Sequence, residues 1–119
     1  MDYIISAAAL LSLDALYINT TKNFWGALVN KVQKSKMQTR PFAIIATYVI
    51  LLFGLYSLII SKRRSPYEAA ILGLTIYGVF ELTNYSILKN WSIFAVIMDT
   101  LWGALVMYLT TLITYFFVK

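Results

Sequence analysis

The sequence predicts an all-α integral membrane protein, a four-helix bundle with a short interfacial amphipathic helix between the first two spans. Of its 119 residues, 61% are hydrophobic and only 13% are charged, whereas soluble domains are near half apolar and a quarter charged. Four apolar runs of about 20 residues, the length that crosses a bilayer, occupy about two thirds of the chain. These residues leave no room for a separate soluble domain, so we expect a single transmembrane domain over residues 1–119.

The residue types that are missing restrict the chemistry. The chain has no cysteine and no histidine, which excludes disulfides, thiolate catalysis and the commonest general base. We therefore expect no enzymatic activity, no metal and no cofactor. The formal charge of +5 comes from bases outside the apolar runs, as in loops that meet anionic lipid headgroups. A lipid bilayer is thus the expected partner, and no nucleic acid is needed.

The first predicted span covers residues 3–20. A cleaved signal peptide is the alternative, because residues 6–9 (Ser-Ala-Ala-Ala) resemble a cleavage site. However, Asp2 stands where a basic start is expected, and Asp14 interrupts the apolar core. These two acids favour an uncleaved helix.

Residues 21–40 form the one long connection. Phe24, Trp25, Leu28 and Val32 recur at helical spacing among several lysines, which predicts an amphipathic helix that lies in the membrane interface. The alternative is a plain extension of the first helix. Pro41 then suits the first turn of the second helix.

The remaining predicted spans are residues 42–61, 67–88 and 91–118. A basic run over residues 62–65 ends the second span, and the two-residue turn at 89–90 makes the third and fourth spans antiparallel neighbours. Four glycines lie in these spans and predict close helix packing: Gly54, Gly73, Gly78 and Gly103.

Four spans place both termini on one side of the membrane. The other side then carries six bases, which are Lys22, Lys31, Lys34, Lys36, Arg40 and Lys89. The terminal side carries four, Lys62, Arg63, Arg64 and Lys119, offset by Asp2 and Glu68. The positive-inside rule therefore predicts that the loop at residues 21–41 is cytoplasmic.

Three acids lie inside the predicted spans, at one level. At about 1.5 Å per residue, Asp14 and Glu81 lie about 16 and 21 Å from the terminal face. Asp99 lies about 18 Å from that face if the hydrocarbon layer is about 30 Å thick. Unpaired carboxylates are costly there, so we expect the three side chains to meet inside the protein.

Each acid is followed three or four residues later by a residue with a polar side-chain group, and this spacing places the acid and that residue on one face of the helix. These neighbours are Tyr17, Asn84, Tyr85 and Trp102. Two interpretations remain open: a hydrogen-bonded cluster that fixes helix pairing, or a proton or cation site. The segments at residues 14–17 (Asp-Ala-Leu-Tyr) and 99–102 (Asp-Thr-Leu-Trp) also share an acid-x-Leu-aromatic pattern.

Contacts with lipid or with a partner protein are expected at the aromatic and basic residues outside the apolar runs. These are Phe24, Trp25, Lys31, Lys34, Lys36, Arg40, Lys62, Arg63 and Arg64.

The second half of the chain resembles a known family. The string Tyr77-Gly78-x-x-Glu81-Leu82-Thr83-Asn84, followed by Leu88, Trp91 and Asp99-x-x-Trp102-Gly103, is similar to the membrane-protein family named domain of unknown function 2177. An early acid and aromatic, here Asp14 and Tyr17, belong to the same pattern. The family more often has Asp at position 81 and Trp at position 17. The resemblance implies a four-helix membrane protein with bacterial and large-DNA-virus members, and implies no activity.

The function expected from these observations is that of a structural or anchoring component of a larger membrane assembly, including the internal membrane of a virion. Other membrane or capsid-type proteins, or further copies of the chain, would be its partners. The alternative is a small proton or cation transporter that uses the acids within the membrane. A lipid-modifying enzyme is a third class, disfavoured by the missing histidine and cysteine.

Overall fold

A computed structural model describes all residues from 1 to 119 as four helices joined by short connections. The helices are α1 (Asp2–Gln33), α2 (Pro41–Leu55), α3 (Pro66–Ile87) and α4 (Ile93–Phe117), and one π-helical turn, Tyr56–Ile60, extends α2. The bundle measures 48 × 24 × 22 Å. The predicted all-helical four-helix architecture is therefore confirmed.

The separate interfacial helix predicted after the first span is wrong, because α1 continues without a break to Gln33. The hydroxyl groups of Thr20 and Thr21 donate to the carbonyls of Leu16 and Tyr17 one turn earlier, which satisfies both polar side chains within the helix. The extension of the first helix is the alternative that the structure adopts. The helix ends where Lys34 takes the left-handed conformation, with φ at 60°.

The corner between α2 and α3 is closed by a capping box. Ser65 accepts a hydrogen bond from the backbone N–H of Glu68, whose carboxylate accepts one from the Ser65 N–H. Pro66 occupies the first helical turn, where its missing N–H has no consequence. The hydroxyl of Tyr115 on α4 donates to the Arg64 carbonyl at 2.6 Å, so the end of α4 is attached to this corner.

Helices α3 and α4 are antiparallel and approach most closely at two glycines. A methyl group added at Gly73 would overlap the backbone carbonyl of Gly103, and one added at Gly103 would overlap the ring of Tyr77. The prediction of close packing therefore holds at these two glycines. It fails at Gly54, where an added methyl group would meet no atom within 4 Å, because this glycine lies on an open face of α2.

Three segments are long and apolar enough to cross a membrane: Asp2–Gln33, Pro41–Ile60 and Ile93–Phe117. Helix α3 is comparable in length, with 22 residues, but Glu81, Asn84 and its threonines lower its hydropathy. Its predicted crossing of the membrane stays a prediction.

Candidate functional site

The three acids of the predicted membrane spans are all buried within the bundle. Asp14 of α1 is 7% exposed, Glu81 of α3 is 1% exposed and Asp99 of α4 is 8% exposed. Each accepts a hydrogen bond from an aromatic donor that lies outside its own helix. We call these three acids and their aromatic donors the acid layer. Burial of polar groups is tolerated when they are hydrogen-bonded, and this layer meets that condition with neutral donors.

Helices α1 and α4 exchange acid and aromatic partners across their interface. The indole Nε1 of Trp102 on α4 donates to Oδ1 of Asp14 on α1 at 2.9 Å. In the opposite direction, the hydroxyl of Tyr17 on α1 donates to Oδ1 of Asp99 on α4 at 3.0 Å. The two aromatic rings stack, with centroids 4.6 Å apart and planes inclined by 3°. The shared acid-x-Leu-aromatic pattern is thus the sequence signature of a reciprocal contact between antiparallel helices.

The second oxygen of Asp14 connects the acid layer to α2. Its Oδ2 accepts a hydrogen bond from the hydroxyl of Tyr48. Asp14 therefore joins α1 to both α2 and α4 through one carboxylate. Tyr48 was not among the predicted site residues, although the signal that could have identified it is a polar hydroxyl in the middle of the apolar second span.

Glu81 connects α3 to the start of α4. Its Oε1 accepts a hydrogen bond at 2.9 Å from Nε1 of Trp91, in the short connection before α4. Its carboxyl group also lies close to that of Asp99. Two carboxyl groups can bond each other only through a proton. The acid layer therefore contains a carboxyl pair between α3 and α4.

None of the residues predicted as the polar neighbour of an acid on its own helix makes a side-chain hydrogen bond to that acid. Tyr17 and Trp102 lie in the acid layer, but each serves the acid of the other helix. Asn84 and Tyr85 make no side-chain hydrogen bond to Glu81, whose aromatic donor is Trp91. Tyr85 is instead 48% exposed. Spacing within one helix identifies residues on the same face but not the residue that a neighbouring helix brings opposite them.

The aromatic residues predicted to contact lipid or a partner lie partly within the bundle. Phe24 packs edge-to-face on Phe94 of α4, with centroids 5.6 Å apart, and Trp25 lies 6.3 Å from Trp91. Trp91 also donates to Glu81, so these aromatic contacts lie beside the acid layer. Phe24 and Trp25 were predicted on a separate helix; because α1 continues, they contact α4 and the connection before it instead.

The predicted basic contact residues are all exposed, and two of them have internal partners. Arg64 pairs with Glu68 at 3.4 Å. Arg63 donates to the Val118 carbonyl at 3.0 Å and lies over the Tyr115 ring. The others make no ion pair within the chain: Lys31, Lys34, Lys36, Arg40 and Lys62.

Comparison with known proteins gives one family. The family model described as predicted membrane protein (DUF2177) matches residues 1–116. No curated protein and no solved structure matches the chain significantly. The match covers nearly all of the chain, including all three acids and every aromatic donor of the acid layer. The chain therefore belongs to the DUF2177 family of predicted membrane proteins.

Proposed function

We propose that this protein is a non-enzymatic structural component of a membrane assembly, with the acid layer as the device that fixes its helices. The observation that carries the proposal is the reciprocal contact of Asp14 with Trp102 and of Asp99 with Tyr17. Helix association in lipid depends on packing and interhelical hydrogen bonds, because the hydrophobic effect does not favour protein over lipid tails. A layer that joins all four helices supplies such bonds.

The identity of the donors supports a structural role over catalysis. Both carboxyl oxygens of Asp14 accept hydrogen bonds from protein donors. Asp99 and Glu81 each accept one hydrogen bond from an aromatic side chain. A carboxylate that acts as general base or nucleophile needs an oxygen within reach of a substrate. A lipid-turnover screen tests this part of the proposal: hydrolysis or transfer that depends on any of the three acids would contradict it.

The assembly would be contacted through two surfaces that lie outside the acid layer. One is the basic connection at residues 34–40, whose bases have no acidic partner in the chain. The other is the outer face of α2, where Phe42, Ile45, Val49 and Phe53 are each more than half exposed. Lipid, a capsid-type protein, another membrane protein or a second copy could cover that face. A virion membrane is one setting for such an assembly.

The alternative function, a proton or cation transporter, is favoured by one observation. The carboxyl groups of Glu81 and Asp99 lie close together between two helices, and acids within membrane spans often serve proton or ion transport. In this alternative, Asp14, Glu81 and Asp99 are the transporting groups, and oligomers would complete the pathway.

Flux measurements in liposomes distinguish the two functions. The proposal predicts that wild-type protein conducts neither protons nor alkali cations above empty liposomes, and that the triple variant Asp14→Asn, Glu81→Gln, Asp99→Asn loses folded protein. Glu68→Gln, the same chemical change at an exposed acid, is the matched control and should stay folded. Flux by wild-type protein that disappears in a folded Glu81→Gln variant would establish transport and overturn the structural role.

A further inference from the structure

We infer that a groove between α1 and α2 binds a phospholipid with an anionic headgroup, its phosphate at Lys22 and an acyl chain along α1. The groove has a volume of about 660 Å³ and is lined by both helices. Helix α1 forms most of the apolar wall, with Leu11, Ala15, Leu16 and Ile18. Helix α2 contributes the ring of Tyr48 on the other side. Lys22 and Asn19 lie at one end.

The side chains of this groove lie at the same membrane depths as the phosphate, the ester groups and the acyl chain of such a lipid. Lys22 follows Asp2 by 20 residues along one helix, which is about 30 Å, close to the thickness of the hydrocarbon layer. The ammonium group of Lys22 therefore reaches phosphate depth when Asp2 lies at the opposite interface. Asn19 is one turn deeper, at the level of the ester groups, and Leu11 lies near mid-membrane.

Two polar side chains at one end of the groove have no partner in the chain. Lys22 and Asn19 both line the groove, both are exposed, and neither makes a side-chain hydrogen bond. The single ion pair of the chain joins Arg64 to Glu68, at the other face. Polar groups that leave water are stabilised by hydrogen-bond partners, so an occupant that supplies acceptors suits this end of the groove. The phosphate and ester oxygens of a glycerophospholipid supply them at the two required depths.

Charge complementarity favours lipid over a second copy of this chain. Of the five acids, three belong to the acid layer, while Asp2 and Glu68 lie at the terminal face. The face that carries Lys22 therefore presents bases and no exposed acid. A second copy in the same membrane orientation could not neutralise Lys22, whereas an anionic lipid can.

Lipid retention measures the proposed site directly. Wild-type protein is placed in nanodiscs of phosphatidylglycerol and phosphatidylcholine with identical acyl chains, extracted into detergent and analysed by native mass spectrometry. We expect enrichment of bound phosphatidylglycerol over phosphatidylcholine. Lys22→Gln should lower that enrichment about five-fold, the factor that corresponds to one basic residue near an anionic surface. Lys89→Gln changes an exposed base on the same side of the membrane that does not line the groove, so it is the matched control and should retain the enrichment.

A second variant tests the groove without changing the charge. Ala15→Trp fills the apolar part of the wall and should release the bound lipid while helical content by circular dichroism is unchanged. Equal enrichment in Lys22→Gln and Lys89→Gln, or no preference for phosphatidylglycerol in wild type, would overturn the site. So would efficient cross-linking of two chains through Asn19→Cys, since a second copy would then fill the groove. The native chain has no cysteine, which makes that cross-link unambiguous.

Discussion

The indole N–H of Trp102 donates to the carboxylate of Asp14 across 88 positions of sequence, and the same carboxylate accepts the hydroxyl of Tyr48. One buried acid thus joins three helices, α1, α2 and α4. Because the donors are neutral, the carboxylate is held by hydrogen bonds rather than by an ion pair. This arrangement makes Asp14 the residue whose removal leaves the most donors without a partner.

A double-mutant cycle at Asp14 and Trp102 measures that contact. Asp14→Ala leaves two donors unsatisfied, so we expect it to lower the free energy of unfolding by about 1–3 kcal/mol. Trp102→Phe should cost less in the Asp14→Ala background, with a coupling energy of about 0.5–2 kcal/mol. Unfolding in mixed detergent micelles provides the measurement.

The control cycle pairs Trp102→Phe with Asp2→Ala. Asp2 lies at the start of α1, 12 residues before Asp14, so its coupling to Trp102 should be zero within error. Equal coupling in the two cycles would show that the hydrogen bond to Asp14 contributes nothing specific.

Tyr48→Phe removes only the hydroxyl that joins α2 to Asp14. We expect a loss of about 0.5–1.5 kcal/mol in the same unfolding measurement, the usual net value of one hydrogen bond. Tyr85→Phe is the matched control, since this tyrosine is 48% exposed and makes no side-chain hydrogen bond. If both variants are equally stable, Tyr48 does not anchor α2.

Gly103→Ala should prevent close packing of α3 and α4. Its added methyl group would overlap the Tyr77 ring, and forcing an extra carbon into a packed interface costs about 1–3 kcal/mol or more. Gly54→Ala is the control: open space surrounds this glycine, and alanine is the better helix former by about 1 kcal/mol. We expect the thermal midpoint in detergent to fall for Gly103→Ala and to stay equal or rise for Gly54→Ala. The reverse order would refute the predicted overlap at Gly103.

Ser65→Ala tests the capping box at the start of α3. Loss of the side-chain acceptor for the Glu68 N–H should cost about 0.5–2 kcal/mol of stability. The rate of amide hydrogen exchange in the first turn of α3 should rise as stability falls. Ser35→Ala changes an exposed serine in the connection between α1 and α2, and should alter neither quantity. A Ser65→Ala variant that matches Ser35→Ala would mean that Pro66 alone starts the helix.

Several parts of this fold were predictable because they depend on short stretches of sequence. The basic run at residues 62–65 and Pro66 predicted the break between α2 and α3, and the short turn at 89–90 predicted the antiparallel pair. The level of Asp14, Glu81 and Asp99 followed from helical rise alone. The boundary of α1 was not predictable in the same way, because the lysines and aromatic residues after residue 21 suit either a new helix or a longer one.

Hydropathy, helical rise and charge are properties of each segment alone, so they were enough to predict a helical membrane protein whose three inner acids lie at one level. Which donor each acid receives could not be read from them, because the pairing depends on the rotation and offset of one packed helix against another. Asp14 and Trp102, or Glu81 and Trp91, become partners only when their elements pack. Spacing along one helix, which pointed to Asn84 and Tyr85, contains no information about that packing.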